Sequence, residues 1–265
     1  MTPVLTVWPW GLALALGLTT AAWLLSLWRR DAGVIDGFWG VGFALLAWVY
    51  WSAGGAEPSR GLLVAALATV WGVRLSVHIV RRNHGREEDW RYRAMRERRG
   101  ARFPLWSLVM VFWLQGALMW LLSAPLLQAQ AQAPFPRTLD IAGVTVWLVG
   151  FLFETIGDAQ LSRFRADPAN QGRVLRTGLW RWTRHPNYFG DALVWWGLFL
   201  IAVATPSGWW TIFSPLLMTW LLLRVSGVSL LEEKLVETRP GYREYVESTS
   251  AFIPWPPRRH RQAGH

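Results

Sequence analysis

The chain of 265 residues has no cysteine and a single lysine, Lys234. Without thiols there is no disulfide scaffold, thiolate zinc site, iron–sulfur cluster or cysteine nucleophile. A lone lysine beyond the last apolar run argues against a Schiff-base pigment. The five histidines are scattered and no H-E-x-x-H occurs, so no metal site is expected. The phosphate-cradling loops G-x-G-x-x-G and G-x-x-x-x-G-K-[ST] are missing, and Gly40-Val-Gly42 lacks the third glycine. No G-x-S-x-G nucleophile elbow is present. Charge is also scarce: 17% of residues are charged, against roughly 25% in a soluble domain.

Apolar sequence takes its place. Hydrophobic residues make up 52% of the chain, which includes 21 tryptophans. A membrane-spanning helix needs about 20 mostly apolar residues. Seven stretches have that character: 8–28, 36–52, 61–80, 104–127, 139–161, 188–204 and 209–231. The first follows no charged segment and has no A-x-A cleavage site, so it reads as a retained span. Gln128–Ala133, with Pro134 and Pro136 after it, reads as a short interfacial loop. The expected fold is all-α: one membrane-embedded domain, a seven-helix bundle.

The net charge of +10 then acquires a meaning. Twenty-three of the 27 basic residues fall in the segments after spans one, three, five and seven. The opposite side holds Arg60 and Arg137, and Arg74 and Arg224 lie within spans. Under the positive-inside rule this places the N-terminus outside and the C-terminus in the cytoplasm. Many of these charges serve topology and attraction to anionic lipid headgroups. No nucleic-acid motif accompanies them, so nucleic acid is not an expected partner.

Ionisable groups inside spans are costly and mark candidate sites. They are Asp36, Arg74, Glu154, Asp158, Asp191 and Arg224, with His78 and Gln115 as polar neighbours. Two cytoplasmic segments carry more pattern than topology requires. Arg81–Arg93 mixes charge with Trp90 and Tyr92. Asn170–Asp191 interleaves Arg173, Arg176, Arg181, Arg184 and His185 with Trp180, Trp182 and Tyr188. Pro186 should end the preceding helix, and Asn187 is suited to cap the next one. Arginine forks at a helix N-terminus form an anion site, and aromatic planes beside it can hold a base. A nucleotide-like ligand is expected there.

The segment Gly178-Leu-Trp-Arg-Trp-Thr-Arg-His-Pro-Asn-Tyr-Phe-Gly-Asp191 resembles the C-terminal signature of the steroid 5α-reductase family, closest to its bacterial branch. Glu232–Leu235, Pro240–Tyr245 and Thr249–Pro254 support this, as do Arg74–His78, Arg81–Asn83 and Glu88–Tyr92. The likeness runs from about Ile35 onward. The R-H-P-N-Y core is shared with sterol reductases and with membrane methyltransferases that use S-adenosylmethionine. That cofactor has no phosphates, so the arginine-rich segments favour the reductase.

The resemblance implies a seven-helix enzyme of the bacterial inner membrane, taken here as a monomer, that reduces the C=C bond of an enone lipid with NADPH. The expected substrate is a 3-oxo-Δ4-steroid or another lipid-like enone entering from the bilayer. The substrate side would lie mainly in 1–130 and the NADPH side in 139–255. Carried over by motif, NADPH would meet Arg74, Asn83, Arg86, Asp158, Arg165, Arg173, Arg184, His185, Asn187, Tyr188, Asp191, Arg224 and Tyr245. A carboxyl group and a tyrosine of the third helix serve the substrate carbonyl in that family. Asp36 matches the carboxyl and can donate only while protonated; its competing reading is a helix cap. Trp71 stands where the tyrosine is expected and cannot supply a proton. Trp39 and Gln115 are the expected substrate-binding neighbours.

Overall fold

The computed structural model describes residues 3–53, 58–225, 232 and 235–257, and among them every regular element is helical. Five helical stretches are long and apolar enough to cross a membrane: Trp8–Arg29, Ala32–Ala53, Ser59–Asn83, Trp90–Gln128 and Thr138–Ala166. They coincide with the first five expected spans. The sixth falls on a helix that opens on the polar run Pro186–Asp191. The seventh divides into the 3-10 turn Gly208–Ile212, a helix Phe213–Trp220 and a π-turn Leu221–Val225; its residues 226–231 lie outside the described ones. Large apolar side chains line outer faces at helical spacing, such as Val70, Val73, Val77 and Val80, and Leu148, Leu152 and Ile156. Such stripes suit lipid rather than water.

The chain forms two compact units, Met1–Asp140 with Ile201–Ser214, and Ile141–Leu200 with Pro215–His265. The first contains α1 (Trp8–Arg29), α2 (Phe38–Ala53), α3 (Pro58–Asn83), α4 (Trp90–Arg99), α5 (Phe103–Ser107), α6 (Leu114–Leu122) and α7 (Ala124–Gln128). A 3-10 turn, Ala32–Gly37, links α1 to α2, and a π-turn, Leu108–Trp113, joins α5 to α6. Helices α2 and α3 cross backbone to backbone at Gly40 and Gly72, where a Cβ on either would strike the other's carbonyl oxygen. Gly40-Val-Gly42 is thus a packing feature.

Two expectations about this unit are corrected. Gln128, Ala129 and Gln130 do not lie in an interfacial loop but are buried. Gln128 Nε2 donates to Thr205 Oγ1 (2.9 Å) and the Pro206 carbonyl (3.0 Å), and its Oε1 accepts from Trp210 Nε1 (2.9 Å). Arg60, counted as a loop charge, is fully buried. It forks onto Asp140 at 2.8 Å through both Nε and Nη2, and donates to the carbonyls of Ala133 and Pro134. A buried charge persists where it is paired and hydrogen-bonded, and four of the five guanidinium protons are directed at acceptors here.

The second unit is built on α8 (Thr138–Ala166) from Ile141 onward and on α9 (Pro186–Val203) up to Leu200, followed by the last part of α10 (Phe213–Trp220) and by α11 (Tyr242–Ser248). Gly143, Gly150 and Gly157 on α8 recur every seven residues and meet Gly190, Gly197 and the start of α9. A Cβ at Gly150 would stand 2.6 Å from the Gly190 carbonyl oxygen, and one at Gly197 would stand 2.6 Å from that of Gly143. Small residues let spanning helices pack this closely, since lipid provides no hydrophobic drive for association.

Candidate functional site

Each unit holds part of the expected site. In the second, the end of α8, the loop 167–175, the signature and the tail enclose a cavity of about 410 Å³. The loop takes its form locally: Asp167 Oδ1 accepts from Ala169 N (2.9 Å), Asn170 Nδ2 donates to the Phe164 carbonyl (3.2 Å), and Gly172 turns the chain at φ +80°. Arg165 reaches the cavity from α8, Arg173 from the loop, Arg184 from the signature and Arg239 from the tail. Trp180, His185, Tyr242 and Tyr245 supply aromatic wall, and Asp167 is the acid in the lining. The donor set therefore fits a polyanion with a planar ring. Arginine forks match phosphate oxygens, and aromatic faces accept a base.

A clamp fixes the tail against the signature. Arg184, 7% exposed, donates from Nε to Glu232 Oε1 (2.7 Å) and from Nη2 to Glu232 Oε2 (3.0 Å). Its Nη1 donates to the Val246 carbonyl (2.8 Å) and to that of Thr249. His185 Nε2 lies 2.9 Å from Glu232 Oε1, and the His185 ring stacks on Tyr188 at 5.5 Å. The Arg184 amide donates to the Ser250 carbonyl, and Trp255 N donates to that of Trp182. Burial pushes the Glu232 carboxyl up, but the hydrogen bonds from His185 and Arg184 outweigh it and hold the group below the usual glutamate range. Tyr245 donates its hydroxyl to the Trp180 carbonyl, so the hydroxyl is engaged with the backbone while the residue lines the cavity. Burial pushes the Tyr242 and Tyr245 phenols up.

Of the residues expected to hold a cofactor, Arg165, Arg173, Arg184, His185 and Tyr245 therefore line one cavity. Tyr188 adjoins it through His185. Asn187 is not a helix cap, because α9 already starts at Pro186, the position where a missing amide proton costs nothing. Its Nδ2 donates instead to Asp158 Oδ1 at 3.0 Å, joining α9 to α8. Asp191 lies one turn further along α9, and Arg224 is exposed on the π-turn after α10. Arg74 and Asn83 on α3, and Arg86 just after it, belong to the first unit; Asn83 Oδ1 accepts from Arg82 Nε (3.1 Å). Glu233 and Lys234 lie outside the described residues.

Arg239, Tyr242 and the clamping role of Glu232 were not anticipated. The tail motif carried the signal, since Pro240–Tyr245 places an arginine just before it and two tyrosines within it.

In the first unit Asp36 sits half-buried in the 3-10 turn before α2 and caps no helix; Asp31 caps that turn by accepting from Gly33 N (2.8 Å). Asp36 Oδ1 accepts from the hydroxyl of Tyr92 on α4 (3.4 Å). Gln115 Nε2 reaches the same hydroxyl (3.5 Å), and Trp39 Nε1 donates to Gln115 Oε1 (2.6 Å). Asp36, Trp39 and Gln115 are thus brought together, through a tyrosine not chosen from the sequence. Trp71, 2% exposed, is packed in the core with its ring 5.9 Å from Phe43. Helix α4 is pinned to the turn by Glu88, which accepts from Ala32 N (2.8 Å) and from Arg96 Nη2 (2.7 Å). Among the described residues no group of acidic or histidine side chains could hold a metal ion.

These features define a class: an all-helical protein with several apolar membrane-length helices and an arginine- and tyrosine-lined cavity. The model of the family described as "Protein of unknown function (DUF1295)" matches residues 22–249, and the chain belongs to that family. It is 28% identical over 276 residues to "Uncharacterized protein C594.04c" of Schizosaccharomyces pombe (strain 972 / ATCC 24843), an alignment spanning 92% of this chain and 78% of the relative. No solved structure matches the chain.

Proposed function

We propose that this protein is a multi-pass membrane reductase that uses NADPH to reduce the C=C bond of an enone lipid, of which a 3-oxo-Δ4-steroid is the model substrate. The observation that carries this reading is the cavity of the second unit, where Arg165, Arg173 and Arg239 meet Tyr242, Tyr245 and Trp180. NADPH is a phosphate-rich dinucleotide with two planar rings, and this donor set suits it. When bound it supplies a hydride. The chain's own residues hold its phosphates through arginine forks and its rings against aromatic faces. Asp36, in the first unit, serves the substrate carbonyl. The resemblance of the Gly178–Asp191 signature to the steroid 5α-reductase family supports the same reading.

The accompanying topology is seven spans with the C-terminus in the cytoplasm of a bacterial inner membrane, α9 and the 209–231 segment adding to the five apolar helices. The protein acts as a monomer. The test is to purify the full chain in detergent and titrate it with NADPH and with S-adenosylmethionine. Saturable NADPH fluorescence enhancement, followed by NADPH oxidation when an enone lipid is added, supports the reductase. Binding of S-adenosylmethionine without NADPH binding overturns it in favour of a methyltransferase.

A further inference from the structure

We propose that the first unit carries a binding site for one anionic phospholipid at the basic ends of α1 and α5. Arg99 and Arg102 hold the headgroup phosphate, and the lipid-facing seam between the two helices takes an acyl chain. The site lies wholly within that unit and is independent of the reductase reading.

Charge balance along the chain picks out the place. The acids that precede α4 are matched to its first arginines: Asp89 pairs with Arg91 (2.9 Å), Glu87 with Arg93 (2.6 Å) and Glu88 with Arg96 (2.7 Å). Arg98, Arg99 and Arg102 follow, all exposed, and none of them makes an ion pair among the described residues. Glu97 is the only acid between Trp90 and Leu139, so the junction of α4 and α5 keeps a net positive charge. Helix α1 ends in the same way. Arg29 and Arg30 are exposed, and the neighbouring Asp31 is turned back to accept from Gly33 N (2.8 Å).

The two basic ends are held side by side. Trp23 Nε1 of α1 donates to the Pro104 carbonyl of α5 (2.9 Å), and Trp113 Nε1 donates to Thr20 Oγ1 (2.9 Å). Ala22, Phe103 and Phe112 share one buried cluster beneath them. Gly100 makes the corner before α5 at φ +51°, a backbone that side-chain-bearing residues rarely adopt, with Arg99 before it and Arg102 after it. The arginines are also pre-set. The Arg99 guanidinium lies over Trp106, 4.7 Å from the ring centroid, and that of Arg29 lies over Trp28 at 6.0 Å. Stacking engages the face of a guanidinium and leaves its edge N–H groups free for the oxygens of a phosphate.

A phospholipid differs from a free anion in the chains attached to its phosphate. Beside these arginines the outer surface is apolar: Leu24 and Leu27 on α1, and Leu105, Val109 and Met110 beyond the corner, are all exposed. Trp28 is 79% exposed, in keeping with tryptophans that sit at headgroup level. A diffuse basic surface would draw an anionic leaflet through all its arginines alike. Arginine–tryptophan stacks above an apolar seam instead make one place where a phosphate and an acyl chain are met together, as in basic pockets between spanning helices.

The test is native mass spectrometry of the purified full chain with phosphatidylglycerol or phosphatidylcholine added, alongside melting temperature in detergent with the same lipids. Phosphatidylglycerol should give one retained adduct per chain and raise the melting temperature, since it binds only the folded state; phosphatidylcholine should do neither. Arg99→Gln and Arg102→Gln, each at an exposed side chain, should each weaken phosphatidylglycerol binding about tenfold, as expected for loss of a charge-assisted phosphate contact. The double variant Arg81→Gln/Arg82→Gln removes two exposed charges from the end of α3 and should leave binding unchanged. Equal retention of phosphatidylcholine, or an equal loss in the Arg81/Arg82 variant, would overturn the site in favour of diffuse attraction. A rise in melting temperature with inorganic phosphate alone, matching that with phosphatidylglycerol, would overturn it in favour of a simple anion site.

Discussion

Replacing Arg184 with leucine should release the tail from the signature without unfolding the first unit. Arg184 makes two bonds to Glu232 and two to the carbonyls of Val246 and Thr249. Leucine fills part of the volume but leaves Glu232 with His185 and strands two carbonyls. Breaking a buried pair by removing one partner costs about 3–5 kcal/mol. Glu232 is 17% exposed, so water can reach part of the vacated carboxylate, and the lower end, about 3 kcal/mol, applies. At about 1.4 kcal/mol per tenfold, that is on the order of 100-fold in the population of the open tail. Hydrogen exchange in detergent should then speed by roughly that factor for amides of α11 and of 249–255, with amides of α2 and α3 unchanged. Tail exchange within threefold of wild type would refute the clamp.

Acidification should weaken the same clamp. Glu232 has a folded pKa below its ordinary value, so its stabilisation is fully present above about pH 4.3 and drains as pH falls through the folded value. Melting curves from pH 6 to 3 (a working range of about three units) should show an acid limb that Glu232→Gln flattens; an unchanged limb would remove Glu232 as its source. Arg173→Ala and Arg239→Ala should each weaken NADPH binding about tenfold, as expected for loss of one charge-assisted phosphate contact, leaving the melting temperature unchanged; unchanged fluorescence titrations would exclude the cavity as the phosphate site. Gly150→Leu should separate α8 from α9, because even a Cβ there would stand 2.6 Å from the Gly190 carbonyl oxygen, and should abolish recovery of folded protein from the membrane. Asp36→Ala should abolish turnover while NADPH still binds, and retained turnover would free Asp36 from the carbonyl role.

The apolar runs made five helices legible, because burial in lipid imposes length and hydropathy on each span separately. Part of the second unit's cavity was legible for a similar reason: Arg173, Trp180, Arg184 and His185 are close together in the sequence of Asn170–Asp191. What sequence could not supply depends on tertiary approach. Tyr92 lies in an arginine-dense helix whose composition suggests only a membrane surface, and it meets Asp36 through folding. Arg60 looked like a topological charge until Asp140, 80 residues on, was placed beside it. Gln128 and Gln130 read as loop because a biased Gln/Ala run ends at Pro134 and Pro136, whereas Thr205 and Trp210 take the Gln128 amide. The glycine spacing on α8 and α9 was visible but acquired meaning only when the two helices were paired.

The central claim is that the cavity of the second unit holds a pyridine dinucleotide phosphate. The most direct measurement is an NADPH fluorescence titration of the purified full chain, repeated with NADH and with the Arg173→Ala/Arg239→Ala double variant. The account predicts saturable binding, tighter for NADPH than for NADH, and lost by about 100-fold in the double variant if the two contacts act independently. Absence of NADPH binding, or binding that the double variant retains, would contradict it.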